Sequence, residues 1–377
     1  MPKRLQEFVI GLCAKEKKTK VVNYKGEKVP EYGLMPPGVS ADWNRFAYRF
    51  FNQAHYYAGL AEVAEVLHEI GYPEAETYRK EAKEFKDDIV RAYRWNQSRM
   101  PVLRLSNGKW ILAYPGMLFC FGKVGEMYPG EDWNRSWAGD VELGAHHLIP
   151  CGVLEANSRD ADWIVEHMED FWFLQSGMGE YPEDENRKDW FNLGGFSKIQ
   201  PYYTRIVEIY AQRDEIKPFI RSYFNAIPSL LNEENLSFWE HFHNMGAWNK
   251  THETGWFLVQ TRNMFVVERG KELWLAPFLP SYWMEDGKKV EVSGAPTFFG
   301  KVSYSIHSSV GSGYIEAKVD FSGNKALEKL ILRLRHPEGK KLKKVLVNGK
   351  EYKEFDSTRE CVFLEPKSGK THIRAYY

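Results

Sequence analysis

The sequence predicts an α+β chain in two parts. A ring of helix hairpins, an α/α toroid of seven or eight helices, takes residues 1–270, and a small antiparallel β-sandwich takes residues 271–377. Three observations predict this. Apolar residues between Asp42 and Arg269 recur at spacings of three and four, the helical period. The connections in that stretch alternate between tight turns and long loops. From about Lys271 the period changes to two, in runs of strand length.

The first predicted helix carries Trp43, Phe46, Ala47, Phe50, Ala54, Tyr57 and Ala61, with Asp42 as N-cap and Gly71 as stop. Pro73 opens a second, bearing Tyr78, Ala82, Phe85, Ile89 and Ala92. A third is expected over Trp137 to Leu154, and a fourth from Ser158 or Asp160 to Phe173. The fifth runs from Lys198 to Ala211, the sixth from Ile216 to Leu231, and the seventh from Glu253 to Glu268. Residues 4–16 add a weak eighth. Tight turns follow the first, third and fifth helices, and the stretches 19–41, 97–136, 174–197 and 232–252 are long. In a ring of antiparallel hairpins this puts every long loop on one rim. Two hairpin signals stand out: Asn107–Gly108 in the second long loop, and Asn348–Gly349 among seven or eight short strands of the C-terminal part.

Aromatic residues make up 15% of the chain, with 13 Trp and 21 Tyr, and many fall in acidic loops. Sugar recognition uses this pairing, because a pyranose stacks its apolar face on an aromatic ring while its hydroxyls reach carboxylates. The segment Gly33-Leu34-Met35-Pro36-Pro37-Gly38 before a helix, the rim segments Phe238-Trp239-Glu240-His241 and Thr251-His252-Glu253-Thr254-Gly255-Trp256, and the sandwich segment Leu346-Val347-Asn348-Gly349-Lys350 resemble the six-hairpin glycosidases, rhamnosidase-like enzymes among them. The resemblance covers about residues 30 to 377 and matches no named catalytic signature residue by residue. It implies a glycoside hydrolase acting on an oligo- or polysaccharide. A full ring of six hairpins has about twelve helices, so the reading is of an incomplete ring: the C-terminal portion of a larger protein, a natural truncation, or a ring completed by an N-terminal portion or between copies of the chain.

Glycoside hydrolysis needs one carboxyl that gives a proton and another that activates water or attacks. Three candidates lie on the long-loop rim. Glu180 sits in the acidic stretch Gly179-Glu180-Tyr181. Glu240 lies between Trp239, which can desolvate it, and His241, which can share a proton. Glu253 follows His252 at a helix start, where the ionised form is favoured and a base is suited; it is equally readable as a first-turn helix carboxylate. Trp133, Tyr181, Trp239, His241, His243, Trp248, His252 and Asp140 are the candidate substrate contacts, and Asp140 and Glu142 are also readable as capping or inter-helix partners.

Two other classes stay open. A polysaccharide lyase would use Tyr181, Tyr202 or Tyr203 with the His cluster, and Arg135, Arg187 and Arg205 to bind acidic sugar. A truncated protein that binds carbohydrate without turnover is the other. Other chemistries find little support. Lys+Arg and Asp+Glu are 51 each, without the basic excess of a nucleic-acid binder. No run of about 18 apolar residues is present for a membrane span. His241, His243 and His252 do not have the spacing of HExxH, and Cys13, Cys120, Cys151 and Cys361 form no CxxC pair, so neither a metal nor another cofactor is expected. The N-terminus makes a poor secretory signal, which points to the cytoplasm if that N-terminus is native.

Overall fold

The computed structural model describes residues 20–40, 43–129, 137–173, 195–197, 199–241, 246–323 and 327–377, together with residues 4, 7 and 11. By contacts the chain divides into one unit of Met1–Ile209 and Arg221–Thr254 and a second of Tyr210–Ile220 and Gly255–Tyr377.

In the first unit the expected helix over 42–71 starts late. Strand β1 (Gly38–Ser40) pairs antiparallel with β2 (Trp43–Ala47), and α1 (Phe50–Glu69) begins only after them. The prolines at 36 and 37 hold the incoming chain extended, which sets up a hairpin where apolar spacing alone suggested a helical turn. The predicted cap Asp42 lies outside the described residues. The stop is as expected: Gly71 has φ +70°, and the amides of Gly71 and Tyr72 donate back to the carbonyls of His68 and Leu67. Helix α2 (Ala75–Gln97) buries Tyr78, Ala82, Phe85, Ile89 and Ala92, the stripe read from the sequence, and Tyr93 meets Phe50 of α1 edge-to-face at 5.5 Å.

Asn107–Gly108 turns the hairpin of β3 (Val102–Arg104) and β4 (Trp110–Leu112), with Lys109 N–H donating to Asn107 Oδ1 at 2.9 Å. The loop that follows is organised by the buried Asn96 amide. It donates to the Cys120 carbonyl at 2.7 Å and accepts from Phe119 N–H at 2.6 Å. A short helix α3 (Val124–Met127) comes next.

The third predicted helix does not form as one element. A π-helix spans Trp137–Glu142 and a 3-10 helix spans Ala145–Leu148. Gly144 breaks the run: a Cβ there would sit 2.0 Å from the Asp140 carbonyl oxygen, so only glycine lets the chain fold back so closely. Helix α4 (Arg159–His167) starts at the predicted cap, where Ser158 Oγ accepts from Ala161 N–H, and runs on as a π-helix over Met168–Trp172. Arg94 of α2 holds the buried Asp160 of α4 with two contacts of 2.6 Å.

Helix α5 (Ile206–Arg213) also begins later than the spacing suggests. Gln200 and Arg205 take positive φ, +46° and +57°, and the intervening residues form turns; Lys198, the predicted start, lies outside the described residues. Helix α6 (Ile216–Leu230) leads into the small hairpin β5 (Leu231–Asn232) and β6 (Ser237–Phe238), and then to α7 (Thr251–Phe265).

The second unit holds the sheets. Helix α7 was expected to continue to Glu268, but Val266–Arg269 is strand β7, paired with β8 (Glu272–Leu275). The β-branched pair Val266–Val267 and the turn at Gly270 favour the hairpin. Strands β9 (Lys289–Thr297), β10 (Gly300–Ser309), β11 (Tyr314–Gly323), β12 (Lys329–Arg333), β13 (Lys344–Val347), β14 (Lys350–Tyr352), β15 (Phe355–Asp356), β16 (Cys361–Leu364) and β17 (Gly369–Tyr376) follow. One sheet has the order β14-β13-β17-β11-β10-β9 and is antiparallel throughout. Its buried residues alternate, with Val302, Tyr304 and Ile306 on β10 beside Ala317 and Val319 on β11. Asn348 and Gly349, at φ +51° and +80°, make the expected tight turn.

The other sheet has the order β15-β16-β12-β8-β7, and here β12 runs parallel to β8, so the expectation of a wholly antiparallel sandwich is corrected. The long connection from β8 to β12, which contains the β9–β10–β11 meander, permits the parallel return. The chain is thus mixed α+β, a helical portion with two multi-stranded sheets, compatible with a helical domain followed by a β-sandwich.

An ion cluster ties Tyr210–Ile220 into this unit. Asp214 receives Arg333 Nη1 and Nη2 at 3.0 and 2.8 Å and Arg359 Nη2 at 2.8 Å, while Arg269 and Arg333 lie 4.5 and 5.2 Å from the Trp274 ring. Burial alone would raise the Asp214 carboxyl, but the arginines hold it below the usual carboxylate range. Arg333 is almost wholly buried, so removing its partner strands a charge. Asp214→Asn is expected to destabilise the chain by about 3 kcal/mol, read as a fall in the urea midpoint near neutral pH. An unchanged midpoint would mean that the cluster adds nothing to stability.

Candidate functional site

The first turn of α7 places Glu253 in the interior of the first unit, with 0% of its surface exposed. Its Oε2 accepts from Tyr202 N–H at 3.0 Å and its Oε1 from Tyr203 N–H at 3.1 Å. The turns at 200–204 make this possible, because in a helix those two amides would point back along the axis. Burial pushes the Glu253 carboxyl up to about 8; the two N–H groups oppose that rise, and the nearby charges of Glu142 and Glu240 add to it. The helix start alone favours ionisation, as the sequence suggested, but loss of water outweighs it here.

Rings and imidazoles wall the site. The Tyr203 ring lies 4.7 Å from that of His252, 6.0 Å from His147 and 6.1 Å from Phe51, and packs with Phe51 on Leu143. Glu142, the last residue of the first π-helix, is buried, and His147 Nε2 is 2.9 Å from its backbone carbonyl oxygen. His55 Nε2 lies 3.4 Å from His147 Nδ1. Burial lowers the pKa of His55 to about 4 and of His146 to about 3, and drives that of His147 well down. All three are neutral at pH 7.

Glu240 comes from the β6 side. Glu240 N–H donates to Ala247 O and Lys250 N–H to Phe238 O, each at 2.9 Å, so the chain doubles back across from Glu240. The Glu240 carboxylate accepts from the Lys250 ammonium and from Ala247 N–H. Burial by itself would raise this carboxyl, but the Lys250 bond, the Ala247 amide and the nearby His241 bring it below its ordinary value. His252 lies next to both acids: its Nε2 is 3.7 Å from Glu253 Oε1, and burial, then Lys250, lowers its pKa to about 4. Trp248 is 53% exposed, with its carbonyl fixed by Ser237 Oγ at 2.7 Å. Trp239 is half-buried, its N–H donating to Leu230 O.

Of the residues singled out in the sequence, Glu240, His252 and Glu253 fall within one electrostatic neighbourhood, with His241 close enough to act on Glu240 and His252. Asp140 lines a cavity to which none of these four contributes. Glu180, Tyr181, Trp133 and His243 lie outside the described residues. Lys250 and the Tyr202 and Tyr203 amides were not chosen from the sequence as site members, and Glu142 was weighed there beside Asp140 with a capping or inter-helix reading. Lys250 meets Glu240 only because the chain doubles back, and backbone donors leave no mark in side-chain identity.

No known sequence family matches this chain, and no curated protein matches it in sequence. A solved structure titled "Glycoside hydrolase" aligns with 100% of this chain and 69% of its own, at 9% identity and a TM-score of 0.38. Likeness at that level decides neither fold family nor chemistry.

The Glu253 carboxyl has a consequence for stability. Its folded value of about 8 exceeds the reference 4.5, so its favourable contribution is complete below 4.5 and is lost as pH rises towards 8. Glu253→Gln leaves one of the two N–H donors without an oxygen, at a cost of about 1–3 kcal/mol. The wild type is therefore expected to be the more stable at pH 5, with the gap narrowing by pH 8 in denaturant melts. A gap that widens with pH would mark Glu253 as an ionised strut instead.

Proposed function

We propose that the chain is a glycoside hydrolase acting on an oligo- or polysaccharide, on a toroid-like helical scaffold, with Glu240 and Glu253 as its carboxyl pair. The observation that carries this reading is the opposite direction of the two acids: Glu253 is held protonated at neutral pH and Glu240 is held ionised. Environments that push two carboxyls apart in this way assign an acid and a base. The exposed Trp248 ring, beside the hairpin that carries Glu240, offers a face for a sugar.

Glu253 is enclosed, so its proton reaches the sugar through His252. The neutral imidazole accepts at Nε2 and gives up its Nδ1 proton to the glycosidic oxygen as the bond to the anomeric carbon breaks. The 3.7 Å separation closes by about 1 Å for the transfer. Glu240 takes a proton from the attacking water, whose oxygen bonds to the anomeric carbon, giving inversion. Proton return from Glu240 through solvent to His252 Nδ1, with the Nε2 proton passing back to Glu253, closes the cycle, with one water consumed per bond. Elimination by a tyrosinate finds less support, because burial drives the Tyr203 hydroxyl above its ordinary range.

The test is turnover on a panel of oligo- and polysaccharides, read by reducing-sugar release and by ultraviolet absorbance. Hydrolysis without an unsaturated product is expected, falling off above pH about 8 as Glu253 loses its proton. Glu240→Gln and His252→Ala are each expected to lower kcat about a hundredfold or more and to leave binding in place. Wild-type turnover in both variants removes the assignment; binding with no turnover at any pH leaves a carbohydrate-binding protein.

A further inference from the structure

Alternation gives the sheet β14-β13-β17-β11-β10-β9 two unlike faces. On β11, Ile315, Ala317, Val319 and Phe321 are buried, so Glu316, Lys318 and Asp320 stand on the opposite, solvent face. The same alternation puts Lys370 and His372 of β17 and Ser303 and Ser305 of β10 there. Strand pairing sets them in two rows: His372, Lys318, Ser305 and Glu291 in one, and Lys370, Asp320 and Ser303 in the other. A trough of about 590 Å³ follows these rows, a volume usual for a ligand site. From Glu291 on β9 to Asn348 at the end of β13 it crosses five strands, roughly 19 Å at the usual strand spacing. That length takes a run of linked rings rather than a single one.

Charge narrows the ligand. Glu291 holds the Lys289 ammonium at 2.8 Å, and Glu316 holds Arg374 Nη2 and His372 Nε2, each at 2.8 Å. Among the described residues Lys318 and Lys370 make no ion pair, although Asp320 stands across from Lys370 in register. Residues 255–377 carry 21 Lys and Arg against 14 Asp and Glu, an excess of seven in a chain whose net charge is zero. Anions are drawn to such a surface, and exposed ammoniums without an ion pair are the points where they settle. Between those points Ser303, Ser305 and Asn348 offer hydrogen bonds to hydroxyls, and Asp320 accepts from hydroxyl donors. A nucleic acid suits the trough less well. Asp320 repels a closely spaced polyphosphate, and Tyr304, the aromatic residue of the lining, is 3% exposed and gives bases no ring to stack on. A neutral glycan gains nothing from the two ammoniums. A glycan that carries both carboxylates and hydroxyls uses every part.

We propose that this sheet face binds an acidic, uronate-bearing polysaccharide, with Lys318 and Lys370 on its carboxylates and the trough serines on its hydroxyls. The site goes beyond the hydrolase reading and requires no turnover by Glu240 or Glu253. The test uses the full chain with polygalacturonate, neutral dextran and single-stranded oligo-dT, read by isothermal titration and by retardation in gels that contain each polymer. Polygalacturonate is expected to bind, more weakly as salt rises, and dextran and oligo-dT are not. The double variant Lys318→Ser, Lys370→Ser should weaken that binding about tenfold, while Lys318→Arg with Lys370→Arg retains it. Glu240→Gln should bind as the wild type does, which separates failure here from failure of the hydrolase reading. Three outcomes overturn the proposal: polygalacturonate does not bind, the double serine variant binds it as tightly as the wild type, or dextran or oligo-dT binds equally well. Circular dichroism of the variants confirms that they fold.

Discussion

Removal of the Glu253 carboxyl from water is the constraint on which the first unit's site depends. A carboxyl with no exposed surface must be neutral, paired or hydrogen-bonded. Among the described residues this one has two backbone donors and no lysine or arginine bonded to it, and the charges that act on it, those of Glu142 and Glu240, carry its own sign. Neutrality resolves that conflict. The turns at 200–204 exist in the form that brings both amides to the carboxyl, and they adopt positive φ at Gln200 and Arg205 to do so. Backbone in that region costs about 1 kcal/mol or more per residue and persists where its surroundings enforce it. The start of α7, the turns before α5 and the Tyr203 ring are therefore one arrangement around one group.

Glu240 shows the complementary solution. It keeps some access to solvent and gains a lysine and a backbone N–H, so ionisation is the cheaper state. The two acids lie near enough for the Glu240 charge to raise the Glu253 carboxyl, yet they differ in protonation. His252 stands between these regimes. It is neutral, it is less enclosed than Glu253, and it brings one ring nitrogen towards that carboxyl.

Much of this architecture was legible in the sequence where local chemistry decides the outcome. The stripe of α2, the stop at Gly71, the cap at Ser158 and the turns at Asn107–Gly108 and Asn348–Gly349 follow from spacing, φ preference and capping, which act over a few residues. The misreadings fall where tertiary contacts decide. Trp43–Ala47 has helical spacing but is drawn into a strand by pairing with Gly38–Ser40. The stretch from Trp137 to Leu148 has apolar residues at every helical position but splits at Gly144, whose close approach to Asp140 no periodicity reports. The parallel pairing of β12 with β8 depends on a return across some fifty residues and has no local signature. The ring of hairpins rested on alternating loop lengths, and much of the long loop over 174–197 lies outside the described residues. In the site, Glu240 and Glu253 were readable as the carboxyl candidates and His252 as a substrate contact. Their roles were not, because burial and partners set protonation: the acid read as a base at a helix start is the one that loses water, and the acid read as the proton holder is the one that meets Lys250.

The most direct test of this account is the titration of the Glu253 carboxyl itself. Carbon-13 NMR of protein labelled at the glutamate side-chain carboxyls, assigned by difference from Glu253→Gln, gives its midpoint in the folded chain. The account predicts a midpoint near 8, well apart from that of Glu240. A Glu253 midpoint at or below the ordinary value of about 4.3 would contradict it, because the buried group would then be an ionised strut with no proton to give.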